Sequence, residues 1–441
     1  MSVRGLSGFT VRVRPRLPSL PEGLGDALWL FVLMRVGLGL FGLFVWAHVA
    51  IPGPCHFELA RDGWRTIPPL ADSGAEFPLV GIWQRWDACW YSKVATFGYE
   101  SYENSVAFWP LMPILMRIVG RPLGADVALS GLIVAGVAYV AAATGLHRLV
   151  ARDFSRPVAR RTVLFVSIAP AAFFLFAPFT EALFLALSVW AIVAARERIW
   201  WLAAVAGLLA SLARIQGVFL VLPIAWEAWR AWREGGMPSG GRASPSGGRA
   251  SPSAGSVSPS AGSVSPSAGS VSPSGGRPLP PATSVAATVA PLAGWLGFVG
   301  WSKLVLGRTP LDAQDVWGGR EFHPPWEVVD ASWRWILDHH DPVQAVNLAL
   351  LILFALLLLV GLPRLPASYS LYAIPQLILI GTRIQPTPLT STARYLEVLF
   401  PAFVVAALVA RGWRRQGTWI VASLLLLGAL LWLFVTGDFV A

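Results

Sequence analysis

Charged residues are scarce in this chain of 441 residues, since only 13% are Asp, Glu, Lys or Arg. Soluble domains carry about 25% charged residues, so this chain has too few to cover a water-facing surface along its length. Its hydrophobic share is 55% and its mean hydropathy is +0.60. The shortage of charge excludes an ordinary soluble protein, and apolar runs of roughly 18 to 24 residues predict membrane-spanning helices.

Lysine is almost absent, because Lys93 and Lys303 are the only two and arginine supplies the other basic residues. The net charge is +10, which in another chain would suggest nucleic-acid binding. Here the arginines gather between apolar runs, where basic residues mark cytoplasmic loops. We therefore interpret the basic balance as a signal of membrane orientation and expect no nucleic-acid partner.

The loop charges predict an all-α polytopic membrane protein with the N-terminus in the cytoplasm and the C-terminus outside. The run 199–232 is too long for one span, at ~1.5 Å per residue, and we divide it near Arg214 and Gly217. The predicted spans are 27–51, 127–146, 162–177, 180–195, the two halves of 199–232, 285–306, 343–361, 367–383, 395–411 and 417–435.

One further apolar stretch, 108–119, begins F-W-P-L-M-P. Pro110 and Pro113 oppose a regular helix interior, so we expect a bent, partly re-entrant segment. A simple helix start is the alternative.

Two acidic loops and one low-complexity segment organise the chain into two membrane modules. The N-terminal module, 1–233, contains the first external loop, 52–105, and the C-terminal module, 282–441, contains the second, 307–342. Residues 234–281 between them repeat the heptad S-P-S-A-G-S-V. Such Ser/Pro/Gly composition has no apolar face to bury, which predicts a disordered cytoplasmic linker.

Cysteine is nearly absent, and both cysteines, Cys55 and Cys89, lie in the first external loop. Outside the cytoplasm two such cysteines form a disulfide in many proteins, but each is also a small side chain that packs well in a core. The sequence leaves these alternatives open and implies no metal site.

The first candidate site is R-W-D-A-C-W-Y at residues 85–91. On a helix, Asp87 and Tyr91 share one face at i and i+4, and tryptophans flank them. A carboxylate among aromatic rings suits a sugar, whose C–H face stacks while the acid accepts a hydroxyl proton. The alternative is an interfacial helix whose tryptophans anchor at the headgroups while Asp87 caps it or pairs with Arg85.

Glu181 and three arginines complete the candidates at the outer face. Glu181 opens a predicted helix, where it either caps the N-terminus or provides a second acid to an external cavity. Arg214, Arg383 and Arg394 suit phosphate oxygens, which the guanidinium binds with two donors; snorkelling to lipid headgroups is the alternative. Together the acids and arginines suggest a phosphate-bearing lipid substrate.

The succession of these motifs resembles the second-mannose transferase family of GPI-anchor synthesis (GPI mannosyltransferase 2, PIG-V-like), and in particular its bacterial relatives. The resemblance covers most of the chain except the heptad linker. It implies a GT-C-type glycosyltransferase fold with about 11 transmembrane helices and two large external loops, in the cell membrane with an extracytoplasmic site. The motifs are R-W-D-A-C-W-Y with a following G-Y, F-W-P-L-M-P, P-F-T-E-A-L-F, A-R-I-Q-G and S-T-A-R-Y.

The activity implied by the resemblance is transfer of a sugar, with mannose expected, from a polyprenyl-phosphate donor to a glycolipid, glycan or protein acceptor with inversion. Asp87 is implied as general base, Glu181 as the acid that orients the acceptor, and Arg394 and Arg214 as donor phosphate ligands. No cofactor is implied, and dependence on a divalent metal is left open. The residues expected to bind sugar or acceptor are Arg85, Trp86, Trp90, Tyr91, Gln314, Trp317, Arg320 and Tyr395.

A transporter or lipid flippase is the alternative function, because polytopic chains with ionisable residues at membrane depth also move ions or lipids. Two observations oppose it. The ionisable groups cluster at one face rather than at the midplane, and no repeat of the span pattern relates the two halves of the chain.

Deleting residues 244–274 should leave membrane insertion and sugar transfer unchanged, because a disordered cytoplasmic linker contributes nothing to an external site. Both properties are measured in membranes from cells that express the deletion variant. Normal insertion with loss of transfer would show that the linker takes part in the reaction.

Overall fold

A computed structural model of the chain describes residues 22–100, 103–124, 126–235, 281–314, 322–382, 384 and 387–440, without the side chains of 61, 62, 103, 123, 235 and 314. This part is built of α-helices and short 3₁₀ turns and contains no strand. The predicted linker, 234–281, lies outside the described residues apart from its ends. The helices are α1 (Leu24–His48), α2 (His56–Asp62), α3 (Glu76–Leu79), α4 (Asp87–Phe97), α5 (Leu111–Leu123), α6 (Val127–Asp153), α7 (Arg156–Ser167), α8 (Glu181–Arg196), α9 (Trp200–Ala213), α10 (Val221–Gly235), α11 (Ala282–Leu306), α12 (Pro310–Gln314), α13 (Pro325–His339), α14 (Pro342–Gly361), α15 (Ala367–Ile380), α16 (Thr392–Leu396), α17 (Phe400–Val409) and α18 (Trp413–Thr436).

Within the described residues, five helices are long and apolar enough to cross a membrane, namely α1, α6, α11, α14 and α18. Three shorter apolar helices are α9, α15 and α17, and the remaining predicted spans fall on α7, α8 and α10. Every predicted span therefore overlaps a helix, although α7 covers only the first part of 162–177, and the all-α polytopic fold is confirmed. Crossing by the short helices and the orientation of the bundle stay predictions.

Helix α8 lies at the centre of the bundle, between α6 and α9, and α9 packs in turn against α11. Nearly every residue of α8 is buried, which explains why its sequence is apolar on all sides. Helices α9 and α11 approach closely at Gly294, where a Cβ would lie 2.6 Å from the carbonyl oxygen of Leu208. Small residues permit such close helix contact in membranes.

Helices α7 and α9 both end inside the bundle, and a 3₁₀ turn follows each of them. After α7, the chain forms a 3₁₀ turn at Ala172–Leu175 before α8 begins. After α9, a 3₁₀ turn at Ile215–Leu220 leads into α10, which confirms the predicted division near Arg214. Glycine is required at Gly217, because a Cβ there would lie 2.3 Å from the backbone nitrogen of Ser211.

The F-W-P-L-M-P segment is a plain helix start. Pro110 is the N-cap of α5 and Pro113 lies in its first turn, where backbone N–H groups have no intrahelical partner. The chain bends at Phe108 and turns at Pro110 immediately before this start, and a re-entrant path stays a prediction.

A disulfide ties the loop 52–105 together. Cys55 and Cys89 are bonded, with their Cα atoms 5.7 Å apart, which decides between the two alternatives for these residues. Beside the bond, Arg85 donates hydrogen bonds of 2.8 Å to the carbonyl oxygens of Pro52 and Gly53. The start of the loop is thus fastened at two adjacent points, to Cys89 in α4 and to Arg85 just before that helix.

A buried ionic cluster joins four helices at the far end of α8. The guanidinium of Arg196 donates to Asp153 of α6, to Glu227 of α10 at 3.1 Å and to Ser368 of α15 at 2.7 Å. Its carbon lies 5.1 Å from the ring centre of Tyr369. Such a set stabilises the bundle only while every charge keeps its partner.

Replacing Arg196 with methionine should lower the free energy of unfolding by about 3–5 kcal/mol. Asp153 would lose its cation among the described residues, and Glu227 would keep only the half-exposed Arg230, 3.5 Å away. The control is Arg198→Met, which removes a half-exposed pair with Glu234 and should cost about 1 kcal/mol or less. Thermal unfolding in detergent compares the two variants. Equal losses would contradict the structural role of the cluster around Arg196.

Candidate active site

Asp87 is the first residue of α4, and the residue before it is strained. The N-cap, Trp86, has φ 52° and ψ −123°, a conformation that costs a non-glycine residue about 1–3 kcal/mol. Packing enforces it, because the Trp86 ring lies 4.7 Å from that of Phe57 and 4.8 Å from that of Phe439. Backbone strain beside a polar side chain is a common property of functional sites.

Two acids and two arginines from distant parts of the chain form one ionic cluster. Arg394 of α16 donates from Nη1 to Oδ2 of Asp87 at 2.6 Å. Its Nε lies 3.1 Å from Oε1 of Glu181, the first residue of α8. The same Oε1 accepts a hydrogen bond of 2.6 Å from Nη1 of Arg214, the C-cap of α9. We call these four residues the ionic cluster.

Burial differs strongly among the members of the ionic cluster. The side chains of Glu181, Arg394 and Arg214 are 1%, 6% and 7% exposed, whereas that of Asp87 is 28% exposed. Asp87 is therefore the member that a molecule arriving from outside meets first.

Tyr395 lies between the two guanidinium groups. Its ring centre is 5.0 Å from the guanidinium carbon of Arg214 and 5.1 Å from that of Arg394. Arg394 also donates to its hydroxyl at 3.4 Å, and Arg214 donates from Nε to the amide oxygen of Gln216 at 3.4 Å. Cation–π contact and these hydrogen bonds fix the planes of both arginines.

Tyr91 approaches the ionic cluster one turn after Asp87. Its hydroxyl shares a hydrogen bond with Thr180, the N-cap of α8. Burial, and then the negative charges of Asp87 and Glu181, raise the pKa of Tyr91 well above its usual value. Tyr91 is thus a neutral O–H group beside two acids.

The other aromatic and basic residues of the first motif lie elsewhere. Arg85 binds backbone carbonyl oxygens, and burial lowers its pKa to about 10 against the attraction of Glu58. The Trp90 ring stacks on Phe108 at 5.0 Å and meets Trp64 edge-on at 5.0 Å. These groups, like Trp86, form the core of the first loop. The suggested pairing of Asp87 with Arg85 is wrong, because Asp87 pairs with Arg394.

The candidates of the second external loop stay predictions. Gln314 ends α12 without a described side chain, and Trp317 and Arg320 lie outside the described residues. Arg383, at the end of the predicted span 367–383, lies outside them too. Where ligand atoms are described, Cys55, Glu58 and Cys89 come within 4.8 Å of one another. The two sulfurs are bonded to each other, so neither is the thiolate that metals bind.

Sequence reasoning missed three polar residues near the ionic cluster. Glu397 lies one turn after Arg394 and is 2% exposed. It is close enough to Glu181 for the two carboxyl groups to interact electrostatically. Gln344 and Asn347 of α14 are 3% and 4% exposed. The available signal was the cost of polar side chains at membrane depth, which applies to all three.

Comparison with known proteins matches the N-terminal module. Residues 27–226, a little under half of the chain, match the family described as mannosyltransferase (PIG-V). A stretch of 110 residues is 38% identical to GPI mannosyltransferase 2 of two strains of Cryptococcus neoformans var. neoformans serotype D. That stretch covers 23% of this chain and 26% of each relative, so the chain spans about a quarter of the curated relatives it matches. No solved structure matches the chain.

The matched region contains Asp87, Glu181 and Arg214, whereas Arg394 lies beyond it. Three members of the ionic cluster thus come from the family region, and the fourth reaches them from the C-terminal module. The resemblance inferred from the motifs is confirmed for residues 27–226, which match the mannosyltransferase (PIG-V) family.

Proposed function

We propose that the protein is a membrane mannosyltransferase that moves mannose from a polyprenyl-phosphate donor to an acceptor at the extracytoplasmic face, with inversion. The family match supports the transfer of mannose. The observation that carries the proposal is the ionic cluster, in which Asp87 binds an arginine 307 residues later in the chain. Acids and arginines side by side suit displacement of a phosphate from a sugar.

The arginines serve the donor in this proposal. When the bond between the sugar carbon and the phosphate oxygen breaks, its electron pair stays on the phosphate. Arg394 and Arg214 are placed to stabilise that growing charge, and Tyr395 holds both guanidinium planes. Fixed donors stabilise developing charge more than water does, because they need no reorientation during the reaction.

Asp87 serves the acceptor. The acceptor oxygen attacks the sugar carbon from the side opposite the phosphate, and its proton passes to the Asp87 carboxylate. In the structure Oδ2 of Asp87 accepts from Nη1 of Arg394. A donor phosphate that takes over this hydrogen bond would free Oδ2 for the proton, so donor binding would prepare the base.

Glu181 balances the positive charges of Arg214 and Arg394 next to Asp87. Its Oε1 contacts both arginines, and its Oε2 is buried with no hydrogen-bond partner among the described residues. We propose that this second oxygen accepts a hydrogen bond from a hydroxyl group of the acceptor or of the sugar and so orients that molecule. The acceptor is a glycolipid, a glycan or a protein; the name of the curated relatives makes a GPI-type glycolipid the first to test.

The decisive experiment uses the purified full chain in liposomes with radiolabelled mannose on a polyprenyl phosphate. GDP-mannose and a polyprenyl-phosphate glucose are the comparison donors, and glycolipids, glycans and peptides are the acceptors. We expect transfer from the mannose lipid alone and a product of opposite anomeric configuration. Transfer from GDP-mannose would overturn the donor class, and no transfer from any donor would favour the transporter alternative.

Asp87→Asn should lower kcat for sugar transfer by about 10²- to 10⁴-fold, because the amide cannot accept the proton. Glu76→Gln is the matched control, since Glu76 is an exposed acid of the same loop and should be dispensable. Transfer is measured after membrane insertion of each variant is verified. Near-normal activity of Asp87→Asn would refute the assignment of Asp87 as base.

A further inference from the structure

Helix α14 is strongly apolar, with a hydropathy of 2.7, yet it buries two amide side chains. Gln344 and Asn347 are 3% and 4% exposed and lie one turn apart on the same helix face. Polar side chains inside a membrane bundle are costly and therefore usually have a function.

Both amides bind one short stretch of backbone, residues 387–396, which we call the Arg394 segment. The Nε2 of Gln344 donates to the carbonyl oxygen of Pro388. The Oδ1 of Asn347 accepts a hydrogen bond of 3.1 Å from the backbone N–H of Ala393. Each contact is buried, and the second falls on the residue immediately before Arg394.

The Arg394 segment depends on such outside support. Its helix, α16, has only five residues, and its N-cap, Ser391, makes no side-chain capping hydrogen bond. Ser391 and Leu389 both have positive φ, at 63° and 56°, which costs energy that the surroundings must supply. Asn347 satisfies a first-turn N–H group of α16, the role that an N-cap side chain ordinarily has.

We propose that Asn347 and Gln344 are positioning residues that hold the Arg394 segment so that Arg394 reaches Asp87 and Glu181. Asn347 has the larger part, because it caps α16 next to Arg394, and Gln344 fixes the start of the segment. The hold on the segment is independent of the reaction. Its effect on sugar transfer rests on the proposed function.

The first test measures amide hydrogen exchange of the full chain in detergent, by mass spectrometry of peptides that cover residues 387–399. Asn347→Leu suits the apolar helix but removes the acceptor, and it should speed exchange in the Arg394 segment by about tenfold or more. Leu356→Ala, at a lipid-facing position of α14 that is 54% exposed, is the matched control and should change nothing there. Unchanged exchange in Asn347→Leu would overturn the proposal, whatever the protein catalyses.

Asn347→Asp is the conservative variant, because a carboxylate also accepts an N–H bond and is favoured at a helix N-terminus. It should restore the slow exchange that Asn347→Leu loses. Fast exchange in both variants, with the rest of the chain unchanged, would show that an acceptor oxygen of this size at position 347 does not hold the segment, which also contradicts the proposal.

The second test is a double-mutant cycle on sugar transfer. Asn347→Leu should lower kcat by roughly ten- to hundredfold in the wild-type chain, with a small change in KM for the acceptor. In an Arg394→Ala background the same substitution should have almost no further effect, because the group that it positions is gone. Equal losses in both backgrounds would show that Asn347 acts only through general stability.

The two tests separate failure of this inference from failure of the proposed function. A wild-type chain that transfers no sugar refutes the function, and the exchange measurement still decides whether Asn347 holds the Arg394 segment. A chain that transfers sugar, with unaltered exchange and additive losses, refutes the positioning role alone.

Discussion

Mutual neutralisation of Asp87, Glu181, Arg214 and Arg394 is the interaction on which the rest of the structure depends. An isolated charge is expensive to bury, and its partners must arrive together with it. Here two carboxylates face two guanidinium groups, and the buried arginines share the single oxygen Oε1 of Glu181. The first loop, α8, the end of α9 and α16 must therefore be assembled in one place.

The broken helices make that assembly possible. The interior of an unbroken helix has all its backbone N–H and C=O groups paired, whereas a helix end leaves backbone groups free for a site. Glu181 is favoured at the N-terminus of α8 by the helix dipole, and it pairs with two arginines as well. The helix dipole and the two ion pairs thus act on Glu181 together, whereas its role toward a substrate stays a prediction. Far away on the same helix, Arg196 repeats the principle with a fully internal set of partners.

Much of the fold was predictable because apolar runs and loop charges are local signals. The division of 199–232 near Arg214 was correct, since one run was simply too long for one span. The site was harder to predict than the fold, because residues that are adjacent in the sequence point to different parts of the structure. Asp87 and Tyr91 share a helix face and meet at the ionic cluster, whereas Trp90 turns into the loop core.

The contacts that the sequence did not predict show the limit of local sequence signals. No spacing rule connects Asp87 with Arg394, because 307 positions separate them. Asn347 lies in a run so apolar that one amide barely alters its hydropathy, and its partner is a backbone N–H group rather than a distinctive side chain. Such a contact depends on the path of the chain, which composition does not encode.

The bond between Cys55 and Cys89 has a consequence for how the protein matures. Cys89 lies two residues after Asp87 in α4, so the turn that presents the carboxylate is covalently secured only after oxidation. Disulfides form after a segment has reached an oxidising compartment. In the proposed orientation, translocation of the first loop and oxidation of its cysteines therefore come before the ionic cluster is secured. A chain retained on the reducing side would carry every required residue in an unsecured arrangement.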